Sequence, residues 1–229
     1  MESVVMPTLA FCALAYFVCG IPFGMLIARA QGVDVRKTGS GNIGATNVGR
    51  SVGAWAAVLT FLLDAGKGWL CTGLASWLIP MLSGVELKAF SPGSPFDVCF
   101  TCVYAACVLG HVFSPYLKFH GGKGISVGFG AALGFDPRIS FGLLAVFLVF
   151  VLPTRYVSLG SICAAASLSI WTLFFGYTVR AIIPMVIVAV CVIWAHRSNL
   201  KKLASHQEKK FSFHHSDGDG SSSKGGDAK

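Results

Sequence analysis

The sequence predicts an all-α, polytopic integral membrane protein with about seven transmembrane helices. Of its 229 residues, 54% are hydrophobic and only 12% are charged, whereas soluble domains carry about 25% charged residues. Long apolar stretches also recur from one end of the chain to the other. A helix that crosses the ~30 Å hydrocarbon core of a bilayer needs about 20 such residues.

Seven apolar stretches can be delimited, and each is expected to form one helix. They are residues 4–28, 53–80, 96–112, 124–134, 138–152, 156–176 and 180–196. The fourth stretch is short, so residues 124–152 could instead form one span that is kinked at Asp136-Pro137-Arg138. That alternative would reduce the count from seven spans to six.

The distribution of Lys and Arg predicts the orientation, because these residues concentrate in cytoplasmic loops. With seven spans and the N-terminus outside, 14 of the 18 Lys and Arg residues lie in inside loops or in the C-terminal tail. Outside loops then carry only Lys88, Arg138 and Arg180. Six spans would move Arg155 to the outside, so seven spans with a cytoplasmic C-terminus are preferred.

Residues 1–210 are expected to form one membrane-embedded domain, and residues 211–229 a disordered polar tail of low complexity. The net charge of +8 follows from the loops and this tail rather than from a basic stripe on a soluble fold, which argues against nucleic-acid binding. All eight cysteines lie in apolar stretches. Cys99-x-x-Cys102 lacks a second pair, so neither a metal site nor a cofactor is expected.

The first polar loop, Lys37 to Arg50, is rich in groups that bind anions. Its glycines allow backbone N–H groups to approach a phosphate, and the start of the following helix is a natural place for an anion. The guanidinium of Arg50 fits phosphate oxygens. The polar candidates of this loop are Ser40, Asn42, Thr46, Asn47 and Arg50. The pattern G-x-G-x-x-G occurs here after an apolar stretch and not after a strand, so a dinucleotide site is not indicated.

A second loop repeats the combination of glycine and lysine. The sequence Gly-Gly-Lys-Gly at 121–124 precedes an apolar stretch and lacks the full Walker pattern, so it suggests one phosphate site rather than ATP binding. His111 begins this region, and the alternative for it is a helix-end histidine bonded to the backbone. The candidates are His111, Lys118, Gly121, Gly122, Lys123 and Gly124.

Two further groups complete the set of candidates. Ser158 and Ser161 lie three residues apart, as do His196 and Asn199, so each pair shares a helix face. Asp64 and Lys67 lie inside the stretch 53–80, where ionisable residues are costly and often functional. They could instead form a buried pair that only orients helices.

These residues define at least two anion sites on one side of a membrane scaffold, and two classes of protein fit. Transfer between two phosphate-bearing molecules, one of them lipidic, accounts for the sites. A transporter of an organic phosphate would share them, but it usually shows internal repeats and needs access to both faces. All polar loops lie on one side here, which favours the enzyme.

The motifs GSGNIGATNVGR, DAGKG, GHVFSPYLKFHGGKG, TRYVSLGS and HRSNLKKL, in this order, resemble those of the bacterial acyl-phosphate:glycerol-3-phosphate acyltransferases, the PlsY family. The resemblance covers about residues 4–210. It implies a seven-span inner-membrane enzyme whose active site faces the cytoplasm. Such an enzyme moves a fatty acyl group from acyl phosphate to the 1-hydroxyl of sn-glycerol 3-phosphate, without a metal or cofactor, and needs no obligate protein partner. The products are 1-acyl-glycerol 3-phosphate (lysophosphatidic acid) and phosphate.

The resemblance also implies roles for individual residues. It makes Ser40, Lys123 and His196 candidate catalytic residues, and Lys123 would stabilise the departing phosphate. The substrate-binding candidates are Asn42, Thr46, Asn47, Arg50, Lys67, His111, Lys118, Gly121, Gly122, Gly124, Ser158, Ser161 and Asn199. In the last motif His206 replaces a usual Gly, whereas Glu208 and Lys210 match. The general base stays open between His196, His111 and a phosphate oxygen of the substrate, with the phosphate oxygen preferred.

Overall fold

The computed structural model describes residues 2–210, and within that range the chain is helical and contains no strand. The α-helices are α1 (Glu2–Gly20), α2 (Phe23–Ala30), α3 (Ala45–Ser51), α4 (Ala54–Ser83), α5 (Asp97–Val112), α6 (Ile125–Phe135), α7 (Pro137–Thr154), α8 (Val157–Phe174), α9 (Val179–Ala195) and α10 (Arg197–Ala204). Short 3-10 helices occupy Leu87–Phe90 and Pro115–Leu117. The expected tail, residues 211–229, lies outside the described residues.

Each of the seven apolar stretches is largely helical, but the first, residues 4–28, is divided between α1 and α2, because the chain leaves the helix at Ile21 and Pro22. Among the described residues, four segments are long and apolar enough to cross a membrane: Glu2–Ala30, Asp97–Leu117, Pro137–Thr154 and Val157–Phe174. The pair α9 and α10, bent by 56°, adds a fifth if it forms one span. Large apolar side chains such as those of Val179 and Leu152 are exposed on these helices, as expected for surfaces that face lipid.

The stretch 124–152 folds as two helices and not as one kinked helix. The carboxylate of Asp136 accepts a hydrogen bond from the backbone N–H of Arg138 (3.0 Å) and caps α7. Pro137 occupies the first turn of α7, where its missing N–H costs nothing. The helix α6 packs on α4, whereas α7 packs mainly on α8.

Small residues bring α4 and α6 into close contact. A Cβ atom on Gly130 would lie 1.9 Å from the carbonyl oxygen of Ala65, and one on Gly68 would lie 2.4 Å from that of Val127. Backbones that approach so closely tolerate no side chain at these positions. The glycine excess in this part of the chain therefore holds α6, and the loop that precedes it, against α4.

Helix α5 is the centre of the bundle. It packs against α1, α4, α6 and α9, and most of its residues are buried, whereas α7 buries only Ile139, Ser140, Gly142 and Leu143. His111 in its last turn therefore sits between several helices rather than at the lipid surface.

The first polar loop folds back along α4. The chain turns at Gly53, whose φ of +129° separates α3 from α4. A Cβ atom on Gly49 would lie 2.9 Å from that of Ala57, and the carbonyl oxygen of Ile43 lies beside Gly24 near Thr60. A straight helix would place Arg50 about 20 Å from Asp64 and Lys67. The turn instead brings the loop alongside α4, beside Asp64.

Candidate functional site

Asn47 organises the first loop. Its side-chain amide donates to the backbone oxygens of Val35 (3.0 Å), Thr38 (3.2 Å) and Asn42 (2.9 Å). Its side-chain oxygen accepts from the backbone N–H of Ser40 (2.8 Å). The side chain is buried, and its partners all lie within residues 35–42, in the first loop and the turn just before it. Asn47 therefore fixes the conformation that presents the neighbouring polar groups.

The second loop uses two of its glycine amides internally. The N–H of Gly121 donates to the oxygen of Val112 (2.9 Å), and that of Gly122 donates to the oxygen of His111 (3.1 Å). We expected the amides of residues 121–124 to be available to a phosphate, and these two are not. The glycines are needed for close approach, since a Cβ atom on Gly122 would lie 2.2 Å from Nε2 of His111.

The start of α6 is therefore the part of the second loop whose amides can reach the cavity. Gly124 has a φ of +80°, a left-handed conformation that favours glycine, and it leads directly into Ile125 and Ser126. These residues and Lys123 line the cavity described below. The first N–H groups of a helix have no intrahelical partner and attract anions.

A chain of hydrogen bonds links the third group of candidates. Lys123 donates to the side-chain oxygen of Asn199, and Asn199 donates to Oε1 of Glu208 (2.8 Å). Ser158 donates its hydroxyl proton to the same oxygen (2.8 Å). Ser161 instead donates to the backbone oxygen of Val157. Glu208 thus joins α8, α10 and, through Asn199, the start of α6.

The buried pair Asp64 and Lys67 contacts His111. The ammonium of Lys67 donates to Oδ1 of Asp64 (2.7 Å), to the oxygen of Ile21 (2.6 Å) and to Nδ1 of His111 (3.2 Å). These three bonds use all three of its protons. The carbonyl of Ile21 is available because the helix breaks before Pro22. Lys67 therefore lies behind His111 and holds its ring in place.

The two histidines are held in different tautomers. Nδ1 of His111 accepts from the ammonium of Lys67, so Nε2 carries the proton of the neutral ring. Nδ1 of His196 lies 2.8 Å from the oxygen of Val192 and must donate to it, so Nε2 is unprotonated. Of the two rings, only that of His196 offers a free nitrogen lone pair.

The three candidate regions meet at one cavity of about 270 Å³. The predicted residues that line it are Ser40, Asn42, Thr46, Asn47, Arg50, His111, Lys123, Gly124, Ser158, Ser161, His196 and Asn199. Lys67, Gly121 and Gly122 lie behind this wall, and Lys118 is exposed outside it. The residue just before the first loop contacts the loop of Lys118, because the guanidinium of Arg36 donates to the backbone oxygen of His120 (2.6 Å).

Sequence reasoning assigned no site role to several lining residues. They are Ser126, Lys202, Gln207, Glu208 and Lys209. Asp64, one of the two ionisable candidates inside the stretch 53–80, lines the cavity as well. Glu208 carries a signal that could have been used, since it is the only acidic residue between Arg197 and Lys210. Ser126 carries none, because a serine in the first turn of an apolar helix is ordinary.

The electrostatics of the cavity favour anions. Arg50, Lys123, Lys202 and Lys209 supply positive charge, against Asp64 and Glu208. Burial lowers the pKa of Lys123 to about 8; Glu208 opposes this shift, and nearby Lys202 and Arg50 add to it. Burial destabilises the charged form of this lysine. A phosphate bound beside the ammonium would stabilise that charged form.

A second cavity of about 140 Å³ adjoins the first and is almost entirely apolar. Both are lined by Phe61, Gly124, Ile125 and Phe147. The apolar cavity continues between α5, α6, α7, α8 and α9, along Val108, Leu143, Leu168 and Val188 among others. The site therefore has a polar, cationic half and an apolar half that meet at the start of α6.

A helical membrane protein with such a divided cavity belongs to the class that handles amphiphilic phosphate compounds. Residues 9–206 match the family described as glycerol-3-phosphate acyltransferase. The chain is 40% identical over 199 residues to the glycerol-3-phosphate acyltransferase of Geobacter sulfurreducens, covering 87% of this chain and 95% of the relative. It is 37% identical over 203 residues to the enzyme of the same name from Thermus thermophilus, covering 86% and 92%.

The fold is also shared with solved structures. A crystal structure of PlsY (YgiH), described as an integral membrane glycerol 3-phosphate acyltransferase in its glycerol 3-phosphate form, superposes with a TM-score of 0.78. It is 34% identical, covering 90% of this chain and 96% of that one. The lysophosphatidic acid form gives 0.75 at 33% identity, covering 90% and 95%. This chain belongs to the glycerol-3-phosphate acyltransferase family.

Proposed function

We propose that this protein transfers a fatty acyl group from acyl phosphate to the 1-hydroxyl of sn-glycerol 3-phosphate. The products are 1-acyl-glycerol 3-phosphate (lysophosphatidic acid) and inorganic phosphate. This is the first acylation step of phospholipid synthesis. The observation that supports it most directly is the divided cavity, since an acyl phosphate has one anionic end and one apolar end. Membership of an acyltransferase family favours this activity over the transport of an organic phosphate.

The acyl phosphate would lie across the boundary between the two cavities. Its phosphate would sit at the start of α6, against the ammonium of Lys123 and the N–H groups of Ile125 and Ser126. Its chain would extend into the apolar cavity past Phe61 and Phe147. The carbonyl carbon would then lie near Gly124, which both cavities share.

Glycerol 3-phosphate would occupy the rest of the polar cavity. The guanidinium of Arg50 would bind its phosphate, with Ser40, Asn42 and Thr46 adding neutral donors. Holding the 1-hydroxyl against the carbonyl in this way makes the reaction effectively unimolecular. Because the donor is already a mixed anhydride, no covalent enzyme intermediate is required.

As the hydroxyl attacks, negative charge grows on the departing phosphate. Lys123 and the α6 terminus are positioned to stabilise it. We assign the hydroxyl proton to a phosphate oxygen of the bound substrate. The alternative acceptor is Nε2 of His196, a residue that lines the same cavity. His111 is unsuited to be the base, because its Nε2 carries a proton.

His196 offers a test of this assignment. If a phosphate oxygen takes the proton, His196→Gln should lower kcat by less than the factor of 10²–10⁴ that general-base loss typically costs. A loss within or above that range, in a variant of unchanged thermal stability, would assign the base to His196.

The membrane arrangement is part of the proposal. We propose seven spans in the bacterial cytoplasmic (inner) membrane, with the N-terminus outside and the cavity facing the cytoplasm. The Lys and Arg asymmetry supports this orientation. A C-terminal reporter that is active only in the cytoplasm should be active; an inactive but expressed reporter would contradict it.

The activity itself is tested with purified protein, palmitoyl phosphate and glycerol 3-phosphate. Phosphate and lysophosphatidic acid should appear in equal amounts without CoA or added metal. Phosphate without lysolipid would identify a hydrolase. No turnover by a folded sample would favour a transporter of an organic phosphate. Uptake of glycerol 3-phosphate into proteoliposomes would then test that alternative.

A further inference from the structure

Three buried cysteines from three helices meet in the core of the bundle. Cys19 lies on α1, Cys71 on α4 and Cys107 on α5, and their Sγ atoms all lie within 4.8 Å of one another. Cys19 and Cys107 are fully buried and Cys71 is 7% exposed. All three are free thiols. The sequence gives no hint of this cluster, because the three residues are far apart in the chain.

The spacing and chemistry of the cluster suit a soft cation. Metal–sulfur bonds of about 2.3 Å would place three sulfurs around one ion about 4 Å apart, close to the present arrangement. Thiolate sulfur favours Cu(I), zinc and iron–sulfur clusters, and iron–sulfur clusters are held by four cysteines. Structural zinc takes four ligands, and among residues 2–210 no His, Asp or Glu joins these three sulfurs.

We propose that Cys19, Cys71 and Cys107 form a three-coordinate site for one soft monovalent cation of the Cu(I) type. Binding involves no change of oxidation state. Each sulfur that binds as thiolate gives up its S–H proton to solvent, and the metal–sulfur bond replaces the S–H bond. With two thiolates the site carries one net negative charge, and Lys67 lies one helical turn from Cys71 on α4.

The site would be coupled to the catalytic cavity through the residues that hold His111. Cys71 lies one turn from Lys67 on α4, and Cys107 lies one turn from His111 on α5. Cys19 precedes Ile21, whose oxygen accepts from Lys67, by two residues. Drawing the sulfurs together shifts all three segments of this network. An occupied site therefore slows acyl transfer, a consequence that rests on the proposed function.

The binding experiment uses the full chain in detergent, with Cu(I) kept reduced by ascorbate under anaerobic conditions. A colorimetric Cu(I) chelator competes for the ion. We expect one Cu(I) per chain to resist the chelator, with only sulfur neighbours in its X-ray absorption spectrum. Cys71→Ala and Cys107→Ala should each weaken binding by roughly 100-fold or more, since even ligand-supporting residues contribute 10–100-fold.

A matched control keeps the cluster and removes the five other cysteines and the two adjacent histidines near the C-terminus. It combines Cys12→Ala, Cys99→Ala, Cys102→Ala, Cys163→Ala, Cys191→Ala, His214→Ala and His215→Ala. This variant should bind copper like the original chain. Complete removal of copper by the chelator, loss of binding in the control variant, or nitrogen neighbours in the spectrum would overturn the proposal.

The coupling is measured separately from the binding. Stoichiometric Cu(I) should lower kcat several-fold in the original chain and leave Cys71→Ala unaffected. An unchanged kcat with copper bound would overturn the coupling. If the metal-free chain shows no acyl transfer, the proposed function fails, while chelator competition still decides whether the site exists. If Cys71→Ala does not fold, the number of sulfur neighbours in the X-ray absorption spectrum of the original chain decides whether the site exists.

Discussion

The ammonium of Lys123 donates a hydrogen bond to the side-chain oxygen of Asn199, and this contact joins the start of α6 to α10. The acceptor is a neutral amide, and no carboxylate in the described part of the chain lies within 4 Å of the ammonium. The positive charge of Lys123 is therefore held in position at the cavity wall without a direct ion pair. It is free to act on a phosphate.

Replacing Lys123 with alanine should lower kcat/KM by roughly 10²-fold or more, the scale seen when one group that stabilises an oxyanion is removed. Purified variants would be compared by lysophosphatidic acid formation. Lys201→Ala is the matched control, because Lys201 lies in the same basic region but does not line the cavity. Near-normal turnover in a folded Lys123→Ala sample would remove Lys123 from the site.

The pH dependence of the reaction should reflect the same group. Burial lowers the pKa of Lys123 to about 8. The side chain is therefore protonated at pH values below about 8 and loses its proton as the pH rises through that value. We expect kcat/KM to fall above about pH 8, because this parameter reports the free enzyme. Lys123→Arg, which stays charged, should show no such fall. Blanks without enzyme correct for hydrolysis of acyl phosphate, and a flat wild-type profile up to pH 10 would contradict the expectation.

The helices and the membrane character could be predicted from the sequence because both depend on local composition. Apolar stretches of the right length specify helices wherever they pack. The sequence marks Asp136-Pro137 as a break or a kink, and the structure shows that it is a helix boundary. The convergence of the polar loops could also be anticipated, since basic residues mark one side of the membrane.

The internal use of polar groups could not be predicted. Whether an amide faces a ligand or a neighbouring carbonyl depends on packing, as Gly121 and Gly122 show. The position of Asp64 relative to Arg50 depends on the turn at Gly53, which the assumption of a straight helix ignores. The cluster of Cys19 with two other cysteines arises only when α1, α4 and α5 pack together.

Asn47→Ala should loosen the first loop while leaving the bundle intact. The substitution removes four hydrogen bonds, worth roughly 2–6 kcal/mol in total at about 0.5–1.5 kcal/mol each. We expect a higher KM for glycerol 3-phosphate and faster tryptic cleavage after Arg36 and Lys37. Asn42→Ala keeps these bonds, because only the backbone oxygen of Asn42 takes part. Equal cleavage rates in the two variants would show that Asn47 does not hold the loop.

Adding one methyl group between α4 and α6 should destabilise the protein. In Gly130→Ala the new Cβ atom would lie 1.9 Å from the oxygen of Ala65, so the helices must separate. Overpacking of this kind typically costs about 1–3 kcal/mol. Because α6 carries Lys123 at its start, thermal stability and kcat should fall together. Gly66→Ala is the matched control: its Cβ atom meets nothing within 4 Å, and alanine favours a helix over glycine by about 1 kcal/mol. That variant should be as stable as the original or slightly more so, and equal melting temperatures for the two variants would show that the close approach of α4 and α6 is not required.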